Sequence, residues 1–164
     1  AELLRYDQPD VSLLVVGTGA EEQVMRKFIA ERGYKNIIML GLKPRSELPN
    51  IFAASDVGLA LLRPSEVFKT AVPTKIYEYM ATGLPVLTNV AGETTQIISQ
   101  SKAGVAIPEG NAEALSDQLI QMNENPSKLE SMSAAGRHHV DESAKWEQRA
   151  QQFEQALKSM FSSP

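Results

Sequence analysis

The stretch PTKIYEYMATGLPVL, residues 73–87, decides the fold of this chain. The apolar residues from Ile76 to Ala81 recur at helical spacing, which predicts an α-helix with Thr74 as its N-cap. Gly83 is expected to end this helix, because glycine adopts the left-handed conformation at little cost. Val86 then continues a short apolar run. The segment therefore predicts a helix, a tight turn and a buried strand.

Glu78 is an acid among the apolar neighbours of this predicted helix. A buried carboxylate is costly unless a partner compensates its charge. Glu78 lies one turn inside the helix, within reach of a ligand that docks at the amino end. We therefore interpret it as a candidate binding residue.

Short apolar runs alternate with helical segments along the rest of the chain. The runs lack polar alternation, as expected for strands that are covered on both faces of a sheet. We predict strands at 12–16, 36–40, 57–61, 85–88 and 104–107, and helices at 21–32, 46–54, 74–82, 93–100, 112–123, 127–140 and 144–161. Ser46 is the predicted N-cap of the second of these helices. This order indicates an α/β fold with a doubly wound parallel sheet, followed by C-terminal helices.

Composition narrows the class of protein. The 164 residues, 43% of them hydrophobic, are enough for one domain and not for two full ones. There is no cysteine, and His138 and His139 are adjacent, so they cannot build a zinc site by themselves. We expect no metal and no cofactor.

A net charge of −4 without a basic run argues against a nucleic-acid partner. No apolar run approaches the ~20 residues of a membrane span, and no signal peptide is apparent, so the expected location is cytoplasmic.

The first predicted strand is followed by Gly17, Thr18 and Gly19 at the start of a helix. The main-chain N–H groups and the helix dipole there suit a phosphate, although a plain tight turn explains the glycines equally well. Glu22 occupies the third glycine position of a dinucleotide motif, and no acid follows the second strand at 39–41. A standard NAD site is therefore disfavoured.

The segment at 78–87 resembles the family 4 glycosyltransferases of the GT-B fold. Their C-terminal, donor-binding half carries a pattern close to E-x-F-G-x-x-x-x-E-A-M-A-x-G-x-P-V-V, whose second half matches EYMATGLPVL almost residue for residue. The resemblance extends over nearly the whole chain, through LLVVGTG at 13–19, NIIMLG at 36–41, ASDVGLALL at 54–62 and Trp146 in the last helix. It implies a nucleotide-sugar-binding domain of a retaining enzyme, of the type that builds bacterial surface polysaccharides.

The resemblance also implies where the donor binds. The first glycine loop would lie beside the diphosphate, the loop after the second strand would contact the nucleobase through its main chain, and Glu78 would accept hydrogen bonds from the ribose. Lys69 and Lys75 would flank the diphosphate, although Lys75, like Lys43, suits a solvated surface position as well. The implied donor-binding residues are Gly17, Thr18, Gly19, Gly41, Leu42, Lys43, Thr70, Pro73, Thr74, Lys75 and Glu78.

One part of the family pattern is absent. Thr70 stands where the family has a first glutamate that holds hydroxyls of the transferred sugar, and Pro73 replaces a glycine. Proline has no N–H to offer a phosphate. A bacterial subset of the family resembles this chain in having P-[ST]-K-x-x-E-Y and a later Gly-Glu pair, here Gly92 and Glu93. The donor sugar therefore stays open.

Residues 1–10 lead directly into the first strand. By resemblance this is where the second half of a two-domain enzyme begins, so the acceptor domain and its catalytic residues would lie outside the chain. Any peripheral membrane contact would be made through that domain. The last helix, with Trp146 and Phe153, would cross back to it and expose an apolar side here.

Two alternatives share the predicted architecture. A nucleotide-sugar 2-epimerase would need acid and base carboxylates and a histidine in the cleft, whereas His138 and His139 belong to the late helices. A receiver-like or other nucleotide-binding module would need an acid after a strand, whereas Asp56 precedes the third strand and suits a turn. The donor-binding interpretation is therefore preferred.

Overall fold

The structure, a computed structural model, describes residues 11–63, 65–143 and 146–161. The chain divides into two compact units. Unit 1 comprises the described residues up to Ile51 together with Asn111–Asn125, and unit 2 comprises Phe52–Gly110 and the described residues from Pro126 onward. The side chains of Lys69 and Trp146, for which the sequence makes predictions, lie outside the described part.

The described residues form five strands and seven α-helices, which alternate as far as the fifth helix. They are β1 (Leu13–Val16), α1 (Glu22–Arg32), β2 (Ile37–Gly41), α2 (Leu48–Ala53), β3 (Gly58–Ala60), α3 (Thr74–Thr82), β4 (Val86–Thr88), α4 (Glu93–Ser101), β5 (Gly104–Ala106), α5 (Ala112–Asn123), α6 (Pro126–Ser143) and α7 (Trp146–Phe161). Two 3-10 helices, Arg45–Glu47 and Glu66–Lys69, lie in the connections. The predicted α/β class with its C-terminal helices is confirmed.

The strands are parallel and form two sheets. In unit 1, β1 pairs with β2, and Leu13 lies opposite Ile37. In unit 2, β4 is the central strand between β3 and β5, and Val86 lies between Gly58 and Gly104. The sequence predicts parallel strands correctly but places them in one sheet, because an apolar run specifies a buried strand without specifying its partner.

The core of unit 2 is built around α3. Ile76 and Met80 are fully buried, one helical turn apart on the same face of α3. Gly83 ends the helix with a φ of 75°, as predicted, and its N–H donates to the carbonyl of Met80 at 3.0 Å. The buried residues of the cluster are Ala60, Ile76, Met80, Val86, Ile98 and Ala103.

Glycines allow two close approaches to α3. The ring of Tyr79 lies so near Gly58 that a Cβ there would fall 2.5 Å from a ring carbon. On another side, α3 packs against α6, where a Cβ on Gly136 would fall 3.3 Å from the Cα of Met80 and from the Cβ of Ala103. Larger side chains at these positions would displace the helix from the core.

Two predicted helix caps are wrong. Thr74 is the first residue of α3, and the N-cap is Pro73, whose carbonyl accepts from the N–H of Ile76 at 3.0 Å. The proline ring fixes φ near −60° while ψ stays extended at 130°, which is the geometry of an N-cap. Ser46 is likewise not a cap, because it lies inside the 3-10 helix that follows Pro44.

Replacing Gly136 with valine is expected to lower the free energy of unfolding by about 1–3 kcal/mol, the usual cost of overpacking a close helix contact. The valine methyl groups would meet the main chain of Met80, which cannot move without shifting α3. Chemical denaturation of both proteins measures the difference.

Ala134→Val is the matched control, because Ala134 is exposed on the same helix. It carries the same β-branched side chain and is expected to change the free energy of unfolding by less than about 0.5 kcal/mol. Equal effects of the two substitutions would show that helix propensity, and not the contact between α3 and α6, sets the cost.

Candidate functional site

The N-terminus of α3 lacks the groups that usually neutralise a helix end. Pro73 provides no side-chain cap, and the first turn contains no acid. Thr74 is exposed and Lys75 is half-buried at this end. The first N–H groups of a helix have no partner inside the helix and carry the positive end of its dipole. This end of α3 is therefore suited to an anion.

Glu78 lies one turn further along α3. Its side chain is half-buried, as the sequence predicts, while Thr82 is exposed and donates its hydroxyl to the carbonyl of Glu78 at 3.0 Å. The charge of Glu78 also acts on Tyr79, whose pKa is raised mainly by burial and further by this carboxylate. A carboxylate here can accept hydrogen bonds from the hydroxyl groups of a ligand.

Two further ionisable groups influence Tyr77 on α3. Burial raises the pKa of the Tyr77 phenol, Arg149 of α7 lowers it, and Glu93 at the start of α4 raises it again. Both charges therefore lie near enough to α3 to affect it. In the sequence, Glu93 belongs only to the Gly-Glu pair of the bacterial subset, and no role is predicted for Glu93 or for Arg149.

The connection between β3 and α3 carries the other predicted residues of unit 2. Thr70 is exposed and follows the 3-10 helix, and its N–H donates to the carbonyl of Val67. Pro73 is half-buried at the end of the connection. Both precede the N-terminus of α3 in sequence.

Asn89, directly after β4, is a residue for which the sequence predicts no role. Its Oδ1 accepts from the N–H of Leu62 at 2.9 Å, and its Nδ2 donates to the carbonyl of the same residue at 3.0 Å. Leu62 directly precedes the connection to α3. An asparagine after a strand suits any turn, so nothing in the local pattern indicates this contact.

In unit 1 the ends of β1 and β2 are joined directly. The N–H of Gly17 donates to the carbonyl of Gly41 at 2.8 Å. Both residues have positive φ values, 121° for Gly17 and 67° for Gly41, which explains why glycine is required at these two positions. The two predicted loops of unit 1 therefore start from one hydrogen-bonded point.

The N-terminus of α1 differs from that of α3, because an acid already occupies its first turn. Thr18 donates its hydroxyl to Oε2 of Glu22 at 2.7 Å, and Arg26 binds Oε1 at 2.9 Å. The hydrogen bonds from Thr18 and Arg26 lower the pKa of Glu22. A phosphate at this helix end would meet the carboxylate. In the sequence, Glu22 indicates only that the third glycine of a dinucleotide motif is absent.

The residues after β2 expose one apolar and one charged side chain. Leu42 is 76% exposed, and the ammonium group of Lys43 lies 3.4 Å from a carboxylate oxygen of Glu47. The side chain of Lys43 is thus already paired within its own turn. Any contact of this loop with a ligand would fall to Leu42 or to the main chain.

The predicted donor-binding residues fall into the two units. Unit 1 contains Gly17, Thr18, Gly19, Gly41, Leu42 and Lys43, and unit 2 contains Thr70, Pro73, Thr74, Lys75 and Glu78. Within unit 1, Gly17 meets Gly41. Within unit 2, Thr74, Lys75 and Glu78 share α3.

The residues considered for the alternatives lie elsewhere. Asp56 is exposed in the turn before β3, as predicted. His138 is exposed on α6, and burial lowers the pKa of its half-buried neighbour His139. Among the described residues, no three His, Asp or Glu side chains are grouped closely enough to hold a metal ion. Within the same residues, no helix is both long and apolar enough to span a membrane.

Comparison with known proteins identifies the family. The model of the glycosyl transferases group 1 family matches residues 1–139. A GDP-mannose-dependent monoacylated alpha-(1-6)-phosphatidylinositol monomannoside mannosyltransferase of Corynebacterium glutamicum is 27% identical over 154 residues, which are 93% of this chain and 40% of that protein. The chain thus spans well under half the length of this curated relative.

Solved structures share the fold. The Anabaena protein Alr3699/HepE, crystallised in complex with UDP, superposes with a TM-score of 0.75 at 20% identity, over 96% of this chain and 43% of that one. The C-terminal domain of the group 1 glycosyl transferase LpcC from Francisella tularensis superposes with a TM-score of 0.71 at 20% identity, over 88% of this chain and 75% of that one. The family model covers most of the chain, and the chain therefore belongs to the glycosyl transferases group 1 family.

Proposed function

We propose that this chain is the C-terminal, donor-binding half of a retaining glycosyltransferase. It would bind a nucleoside diphosphate sugar whose glycosyl group is transferred to an acceptor hydroxyl, in the synthesis of a surface polysaccharide or glycoconjugate. The observation that carries the proposal is the N-terminus of α3, which lies within the matched family segment and has neither a side-chain cap nor an acid in its first turn.

The diphosphate is assigned to this end of α3. The main-chain N–H groups of the first turn, the helix dipole and the ammonium group of Lys75 all favour negative charge. They would stabilise the diphosphate as the bond to the sugar breaks, without a metal ion. The N-terminus of α1 is less suitable, because Glu22 already occupies it. Gly17, Thr18 and Gly19 stay predicted contacts through their main chain, as do Gly41, Leu42 and Lys43 for the nucleobase.

The ribose is assigned to Glu78. Two vicinal hydroxyl groups can each donate to one ionised carboxylate, and Glu78 lies one turn beyond the proposed diphosphate position. Thr70, in contrast, offers a single hydroxyl where the family pattern has a carboxylate. This substitution would alter the contact with the transferred sugar more than the contact with the nucleotide.

The acceptor is assigned to a second domain outside the chain. α7 exposes Phe153, Leu157 and Met160, with 67%, 39% and 73% of their surfaces accessible, so the predicted apolar side of the last helix is present. Large apolar side chains grouped on one helix are typical of an interface. A cytoplasmic location and a peripheral membrane contact through that second domain belong to the same proposal.

Glu78→Gln is expected to weaken the binding of a nucleoside diphosphate about tenfold. Hydrogen bonds to a charged acceptor contribute about 1.5 to 3 kcal/mol, and about 1.4 kcal/mol corresponds to tenfold in affinity. Isothermal titration of the full chain with UDP and with GDP measures the effect. Glu130→Gln, on the exposed part of α6, is the matched control and should leave the affinity unchanged. Equal affinities of the wild type and both variants would show that the carboxylate of Glu78 does not contact the nucleotide.

The chain alone is expected to bind the nucleotide and to transfer no sugar. Catalysis in this class requires an acceptor held against the donor with water excluded, and one half of the enzyme cannot supply that geometry. Incubation with UDP-glucose or GDP-mannose and a panel of acceptors, followed by mass spectrometry, tests this expectation. Turnover by the chain alone would refute the assignment of the acceptor site to another domain.

Phe153→Gln is expected to affect the free energy of unfolding differently in two polypeptides. In the 164-residue chain it should change the free energy of unfolding by less than about 0.5 kcal/mol, since the side chain is mostly exposed. In a polypeptide that also contains the proposed acceptor domain, it should lower the free energy of unfolding clearly, by about 1 kcal/mol or more. Calorimetry on the 164-residue chain and on the longer polypeptide measures both changes in the free energy of unfolding. Equal small effects in the two would contradict the proposed interface.

A further inference from the structure

Asn89 holds a distant segment of the main chain with its side chain. Leu62 lies 27 positions earlier, and both its N–H and its carbonyl are bonded to the Asn89 carboxamide, at 2.9 and 3.0 Å. Only Oδ1 can accept from an N–H and only Nδ2 can donate to a carbonyl, so the carboxamide has one orientation. The contact is partly shielded from water.

These two bonds continue the sheet beyond the end of its strands. In the ladder, the N–H of Gly58, opposite Val86, donates to the carbonyl of Pro85 at 2.8 Å. The N–H groups of every second residue of a strand donate to the same neighbour in a parallel ladder. Four residues after Gly58, the N–H of Leu62 would therefore donate to the main-chain carbonyl of residue 89, which lies four residues after Pro85. The Asn89 side chain takes the place of that carbonyl.

At the neighbouring position of the ladder, a side chain again makes the hydrogen bonds. The hydroxyl of Thr88 donates to the carbonyl of Ala60 at 2.9 Å and accepts from the N–H of Val90 at 3.1 Å. The main chain after Thr88 is thereby free to leave the sheet and enter the turn before α4. The chain leaving β3, in contrast, is still held at Leu62.

The position of Leu62 matters because the connection to α3 starts there. The described residues of this connection are Arg63 and 65–73, and they end at Pro73, whose carbonyl accepts from the N–H of Ile76. The connection is therefore fixed at its end by α3 and at its beginning by Asn89. It contains Thr70 and Pro73, two of the predicted donor contacts.

We propose that Asn89 is a positioning residue of the donor site, which fixes the start of the connection between β3 and α3 and so orders residues 65–73 ahead of the N-terminus of α3. The inference rests on the proposed function, because it is the donor that requires the ordered connection. Asn89 does not touch the donor itself. Its loss would reduce the fraction of molecules whose connection is ready to bind, and the apparent dissociation constant rises in proportion.

Asn89→Asp tests the contribution of the Nδ2 group, which donates to the carbonyl of Leu62. An aspartate keeps one acceptor for the N–H of Leu62 but places a second oxygen against the carbonyl of Leu62. Asn111→Asp is the matched control, because the Asn111 side chain caps α5 only as an acceptor, from the N–H of Ala114 at 2.8 Å. Both substitutions change the charge equally. Asn89→Leu, which removes both bonds without adding a charge, is the second variant.

The experiment is titration of the full chain and the three variants with UDP and with GDP, together with amide hydrogen exchange at Leu62 and the unfolding temperature. If the competent fraction falls to about one tenth, the dissociation constant of Asn89→Asp and of Asn89→Leu rises about tenfold. The Leu62 N–H exchanges faster in both, and Asn111→Asp matches the wild type in all three measurements.

The outcomes separate the two claims. If the wild type binds neither UDP nor GDP, the proposed function is wrong, and the proposed role of Asn89 is wrong as well. If the wild type binds and both Asn89 variants bind as tightly, the proposed function stands and the positioning role is overturned. A lower unfolding temperature with an unchanged dissociation constant also overturns it, because Asn89 is then a structural residue only.

Discussion

The burial of one face of α3 is the constraint on which unit 2 depends. Ile76 and Met80 are inaccessible to solvent, and burial of such side chains contributes about 1.5–3 kcal/mol each. Tyr79 adds an edge-to-face contact with Phe52, with ring centroids 5.3 Å apart. Contacts with β3, β4 and α6 fix the helix from several directions. The first turn and Glu78 are thus carried on a rigid element, which is the requirement for a binding site.

The N-termini of α1 and α3 differ in whether an acid neutralises the positive end of the helix dipole. α1 neutralises its own positive end with Glu22, which Thr18 and Arg26 hold in place. An acid in the first turn stabilises a helix by about 0.3–1 kcal/mol. α3 has no acid there and a proline as its N-cap. It lacks this stabilisation, and its positive end is therefore better suited to an anion than that of α1.

Much of the fold and part of the site follow from local sequence. The apolar period from Ile76 to Met80 and the glycine at 83 specify α3 and its end, because each acts within a few residues. Side-chain contacts between distant segments do not follow from local sequence. Asn89 and Leu62, which are 27 positions apart, are adjacent only once β3 and β4 have paired. The division of the strands between two sheets is not predicted for the same reason, because the apolar pattern of a strand does not specify which strand pairs with it.

The most direct test of this account is a titration followed by amide NMR. Uniformly nitrogen-15-labelled chain is mixed with UDP and with GDP, and chemical shifts are followed residue by residue. The account predicts that the largest changes occur at the N–H groups of Thr74, Lys75 and Ile76 in the first turn of α3. Large changes at the first turn of α1, with α3 unaffected, would contradict the assignment of the diphosphate to α3.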